Sequence, residues 1–113
     1  MPQYLISFND GDMTFPENDL PDVARAARAV VQEAKDAGVF VFAGGLGDPR
    51  HASVVATDGM VTEGPNATTK DFIGGFTVVD VPTRQAALEW AAKIAVACRC
   101  AQEVREFLAA PAR

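Results

Sequence analysis

Thr62-Glu63-Gly64-Pro65-Asn66-Ala67-Thr68-Thr69-Lys70-Asp71-Phe72-Ile73-Gly74-Gly75-Phe76 sets turn-forming residues and a charged pair directly ahead of an apolar strand. Gly64, Pro65 and Asn66 supply the backbone angles of a turn. Residues 75–81 then read as a strand, so a shaped polar loop abuts the core. Thr83, after Pro82, is a helix N-cap. Beyond it Ala87, Leu88, Ala91, Ile94, Ala95 and Cys98 recur at helical spacing, with Trp90 at the edge of the stripe. Residues 102–107 alternate charged and apolar as an exposed edge strand does.

Upstream of the loop, Asp58-Gly59 signals a two-residue hairpin turn with both positions at positive φ. It joins residues 52–57 to a return strand at 60–62. Val39-Phe40-Val41-Phe42-Ala43 is a continuous apolar run, β-branched and aromatic, which predicts a buried central strand. Gly44-Gly45-Leu46-Gly47-Asp48-Pro49 breaks it. Residues 22–37 read as a helix, with Asp19 as its cap, Pro21 in its first turn and Gly38 at its end. Val23, Ala26, Ala27, Val30, Val31 and Ala34 form its apolar stripe. Gln3-Tyr4-Leu5-Ile6-Ser7-Phe8, closed by Asn9-Asp10-Gly11, is the first strand.

The order is β-α-β-β-β-α-β, counting the small hairpin extension as one element. It predicts an α+β fold: a ferredoxin-like antiparallel sheet with two helices on one face. The other face is apolar with no cover of its own, and a second copy of the chain is the direct way to bury it. Residues 1–107 are expected to form one domain, with residues 108–113 a frayed tail.

The bulk numbers agree. The 113 residues are 49% hydrophobic, enough for one domain with a core. A net charge of −5 argues against nucleic acid and against an anionic membrane surface. No apolar run approaches the roughly 20 residues of a membrane span. The N-terminus lacks a basic stretch followed by a long apolar one, so a cytoplasmic location is expected. Cys98 and Cys100 are too close in sequence for an unstrained disulfide, and the chain has a single His, so neither a metal nor a cofactor is expected. Two reduced thiols are the reading that remains.

The candidate site residues cluster around the opening loop. Backbone N–H groups at Gly64, Gly74 and Gly75 could line an anion nest beside Glu63, with Lys70 adding charge, and a carboxylate would fit such a place. The same glycines also serve as plain backbone hinges for a long connection. His51, the lone imidazole, follows Asp48-Pro49-Arg50 at the start of a strand and is the candidate acid/base group. A surface histidine beside an arginine is its structural counterpart. Gly44-Gly45-Leu46-Gly47 lacks both the Lys-Ser/Thr ending and the following helix of a phosphate loop.

Several of these stretches resemble the YCII-related proteins, and their DGPF-type branch in particular. Ala43-Gly44-Gly45-Leu46 is similar to the family's Ala-Gly-Gly-Leu turn. Glu63-Gly64-Pro65-Asn66-Ala67-Thr68-Thr69-Lys70-Asp71 resembles its Asp-Gly-Pro-Phe-Ala-Glu-Thr-Lys-Glu signature. Gly74-Gly75-Phe76, Ala86-Ala87-Leu88-Glu89-Trp90 and Glu103-Val104-Arg105 resemble its later strands and second helix. The departures are Glu63 for aspartate, Asn66 for phenylalanine and Thr68 for glutamate. Some relatives carry a His on the first helix that pairs with an Asp; residues 22–37 contain no His, so that mechanism does not transfer.

The resemblance implies homodimers whose sheets close face to face into a dimeric α+β barrel, with small-molecule clefts between sheet and helices. Two functions follow. One is a cofactor-free enzyme or binder for a small carboxylate or phenolic compound, working by proton transfer, elimination or isomerisation. The other is a non-catalytic homodimeric or regulatory module, since family members are often found beside transcription sigma factors.

Overall fold

The computed structural model describes residues 1–65 and 72–109. Its strands are β1 (Gln3–Asn9), β2 (Phe40–Gly45), β3 (Ser53–Val55), β4 (Val61–Glu63), β5 (Ile73–Asp80) and β6 (Glu103–Glu106). The helices are α1 (Leu20–Asp36) and α2 (Arg84–Cys98). Four strands form one sheet in the order β2-β5-β1-β6, and β3 and β4 form a separate ribbon. Each neighbouring pair is antiparallel. Two β-α-β crossings, β1-α1-β2 and β5-α2-β6, interleave so that each fills the gap left by the other. This is the ferredoxin-like α+β arrangement expected from the element order.

Alternation along the strands decides which residues meet the helices. Tyr4 and Ile6 of β1, Val79 of β5 and the adjoining Val81 enter the core with Ala87, Ala91 and Ile94 of α2. Ile6 and Val79 are fully buried, and each such side chain contributes about 1.5–3 kcal/mol. Leu5, Ser7, Phe76 and Val78 alternate with these residues and face away from the helices.

The helix ends are set by local chemistry. Thr83 accepts a hydrogen bond from the Ala86 N–H at 3.1 Å, the N-cap read from sequence. Asp19 stands at the start of α1 as expected, but its carboxylate does not cap the helix. It accepts instead from Arg99, 2.7 Å away, just past the end of α2. A short 3-10 turn (Glu17–Asp19) leads into α1, and Gly38 follows α1 at a φ of +74°. The apolar stripe of α2 is rotated from the expected one: Ala97 is buried and Leu88 is exposed.

Three other expectations are corrected. The apolar run at 39–43 becomes β2, which is an edge strand and not a central one. It is apolar on both sides because one side meets the helices and the other joins the uncovered sheet face. A register irregularity between Phe40 and Phe42 sets Val41 out of step, and the strand continues through Gly44 and Gly45, which pair with Phe76 and Gly75. The hairpin turn is longer than two residues. Val55 pairs with Val61, Gly59 N–H donates to the Ala56 carbonyl, and only Gly59 has positive φ. That is a type I turn closed by a left-handed glycine, with the Asp58 carboxylate accepting from the Met60 N–H. Finally, His51 does not begin a strand; it ends a single 3-10 turn (Pro49–His51), and β3 starts at Ser53.

Gly74 is required by close packing. A Cβ there would lie 2.9 Å from Asp10 Cα, a backbone atom that cannot swing aside. Gly45, on the neighbouring strand β2, has open space on its Cβ side. Gly74→Ala is therefore expected to lose about 1–3 kcal/mol of stability. Gly45→Ala is expected to be neutral or to gain up to about 1 kcal/mol. Urea denaturation of the two variants checks the contrast.

Candidate functional site

Between the sheet and the two helices lies a cleft of about 220 Å³. It exists because small residues face one another there. Ala43 and Gly45 of β2 form part of its floor, and Gly45 pairs with Gly75. Gly75 carries the ring of Phe8 in place of a side chain of its own: a Cβ on Gly75 would stand 2.6 Å from Phe8 Cζ. Ala27, Val30 and Ala34 line it from α1, and Ala97 and Cys98 from α2.

The polar groups of the lining residues are few. They are the Thr77 hydroxyl, the Trp90 indole N–H, the Cys98 thiol and the Gln102 amide. The Gln102 Nε2 donates to the Cys100 carbonyl at 3.3 Å. Burial pushes the Cys98 thiol above its ordinary range, so it stands as a neutral thiol and a weak nucleophile at neutral pH. Lys93 lies 5.5 Å from the centre of the Trp90 ring and pairs with Glu33 across the two helices.

The residues singled out from sequence gather elsewhere, around the base of the β3–β4 hairpin. His51 is exposed and borders an open hollow of about 530 Å³, with Leu46, Asp48, Phe72 and Ile73 among its other walls. Gly64 N–H donates to the Ala52 carbonyl at 2.6 Å, which brings Glu63 and Gly64 to the same end of the hairpin as His51. The Glu63 carboxylate accepts from Ser53 Oγ at 3.0 Å. The Gly74 carbonyl accepts from Leu46 N–H at 2.8 Å, tying β5 to the rim of the hollow. Lys70 and Asp71 lie outside the described residues. Among the described residues no group of three or more His, Cys, Asp or Glu is placed to hold a metal ion.

The neighbour best placed by sequence to assist His51 is Asp48, and its carboxylate is committed to Arg50. Arg50 donates to it from Nη2 at 2.7 Å, from Nε at 3.1 Å and from its backbone N–H at 2.8 Å. The Arg50 side chain, first, and then its backbone N–H hold Asp48 down at about 2. Sequence reading named the hairpin base because its residue types carry chemistry. The family resemblance implied a cleft between sheet and helices, but no residue was assigned to it, because the signal is subtler: Ala27, Ala34, Ala43, Gly45 and Ala97 are all small at positions that the strand and helix periods turn inward.

The chain is a ferredoxin-like domain with a small cleft under its helices. A family model for the YCII-related domain matches residues 4–108, nearly the whole chain, and the protein belongs to that family. No curated protein matches it. Among the described residues no helix is long and apolar enough to cross a membrane.

The Asp48–Arg50 pair gives a measurable titration. The folded pKa is depressed, so the pair supports the fold above the ordinary carboxylate value near 4, and that support is lost as pH falls towards 2. In carbon-detected NMR the Asp48 carboxyl of the native protein should titrate at about 2. Arg50→Gln should return it to roughly 3–4.

Proposed function

We propose that this chain is a cofactor-free small-molecule binder, acting as a homodimer, with its ligand in the cleft between helices and sheet. The single observation that carries the reading is a cleft of about 220 Å³ left between close-packed layers of a small domain. Interiors are ordinarily packed to crystal density with few voids larger than a water molecule. A cleft this size leaves apolar walls uncovered that close packing would otherwise bury, at about 25 cal/mol per Å² of such surface. A domain that keeps one has a use for it. The Glu63-Gly64-Pro65 stretch and the residues after it support membership of the DGPF-type branch of the family.

The test is a cavity-filling substitution. Ala43→Leu adds bulk to the cleft floor. A thermal-shift screen of small aromatic molecules against the native chain should give stabilised complexes, and Ala43→Leu should abolish every shift. Shifts that survive in Ala43→Leu would place the ligand elsewhere and end this reading.

The homodimer rests on the uncovered sheet face. Phe42 is 57% exposed, and its ring centre lies 5.8 Å from that of Phe76. Half-buried Leu5 continues the apolar strip, next to Val78, which the chain itself already buries, and at the hairpin Val55, Met60 and Val61 are exposed. Strips of this kind mark association surfaces. Sedimentation at micromolar concentration should give twice the 12.0 kDa chain mass. Phe42→Lys should weaken association by about a hundredfold or more, since a charge in the centre of an apolar interface is left unpaired. A native chain that sediments as a monomer would sink the homodimer.

A second reading is cofactor-free proton transfer on a small carboxylate or phenol at His51. The hollow beside it, walled by Leu46, Phe72 and Ile73, is the observation in its favour. Incubating small keto acids with the protein in heavy water, and following loss of the α-proton signal by NMR, tests it. Exchange no faster than with His51→Gln rules it out.

A further inference from the structure

Among the described residues none that lines the cleft carries a charge. There is no Asp, Glu, Lys, Arg or His among them, and their polar side-chain groups are neutral: a hydroxyl, an indole N–H, a thiol and a carboxamide. We infer that the cleft takes an uncharged, ring-sized molecule with at most one or two hydrogen-bonding groups, and that it discriminates against carboxylates and ammonium ions. The inference rests on the cleft being the binding site, and adds the class of ligand.

Size sets the first limit. An apolar cavity of about 150 Å³ accepts benzene in a protein interior, and about 220 Å³ leaves room for one ring with a short substituent. Charge sets the second. An ion moved from water into an apolar site without a partner loses its hydration and receives nothing in return. Lys93 is the cation associated with these walls, and it is already paired with Glu33, so it offers an incoming anion little. Burial among these same walls raises the Cys98 thiol from its ordinary value, in keeping with a site that disfavours charge.

The neutral polar groups set the third limit. Gln102 has its Nε2 engaged with Cys100, and its Oε1 accepts no hydrogen bond among the described residues. It is suited to receive one O–H or N–H from the ligand. Together these features describe a small aromatic alcohol, amide or related neutral compound, and not the carboxylate suggested by the glycines and Lys70 of the sequence motif.

The experiment compares near-isosteric probes by calorimetry on the full-length chain at pH 7: toluene, benzyl alcohol, benzamide, benzoate and benzylammonium. Benzyl alcohol and benzamide should bind at least about tenfold more tightly than benzoate or benzylammonium, a ratio equal to about 1.4 kcal/mol. Gln102→Leu should weaken benzyl alcohol by about fivefold, the worth of one neutral hydrogen bond, and leave toluene unchanged. Benzoate or benzylammonium binding as tightly as the neutral probes, and still lost in Ala43→Leu, would overturn the neutral-ligand inference while the cleft remained the site. Binding by none of the five probes would overturn both.

Discussion

The antiparallel pairing of β1 with β5 is the constraint on which the rest of this fold depends. It occupies the centre of the sheet, and each of the other two strands is hydrogen-bonded to one member of that pair. Its register puts Tyr4 beside Val79 and Ile6 beside Thr77 on the helix side, and Leu5 beside Val78 on the other. A slip of one residue would turn every one of these side chains over. The register also places Phe8 opposite Gly75, where the absence of a Cβ gives the ring its seat. The same end of the pair holds Asp10 against Gly74. Two adjacent glycines thus let the chain close tightly where β5 begins, and the space beyond Phe8 is what remains open under the helices.

Much of this was readable from residues alone. Helical spacing located both helices, because an amphipathic stripe must face a core. Thr83 was recognisable as a cap from its position before that stripe. The charged alternation of Glu103 to Glu106 identified β6 as an edge. The element order, with two helices separating strands in this pattern, was enough for the ferredoxin-like topology. What was misread has a common cause. Phe40 to Ala43 is apolar on both faces, which ordinarily means a central strand; here one of those faces is simply uncovered. Asp58-Gly59 was read from two residues, whereas the turn type depends on the pairing of Val55 with Val61. Asp19 sits at a cap position, but Arg99, eighty residues away in sequence, takes its carboxylate. Each error turns on a tertiary neighbour that local pattern does not contain.

The two candidate places divide the molecule's chemistry in a physically sensible way. The hairpin base holds the imidazole, the Asp48–Arg50 pair and the Glu63–Ser53 bond, all at exposed positions where water screens them. The space under the helices holds apolar walls and neutral polar groups. A sequence motif draws attention to the first because titratable residues are conspicuous there. The second is assembled from alanines and glycines on several elements, none of them informative singly. The family resemblance implies a cleft in that place, but naming its residues needs the relative placement of those elements, which only the fold supplies.

Two charged contacts hold the helices to each other across the cleft: Asp19 with Arg99 at one end, and Glu33 with Lys93 further along. Both are solvent-accessible, so their attraction weakens with ionic strength, unlike the dispersion forces that line the interior. They tie α1 to α2 at two points on the molecule's surface. The contact between the helices is thereby coupled to the salt around the protein: concentrated electrolyte weakens the two ion pairs, while the apolar packing beneath the helices is left largely as it was.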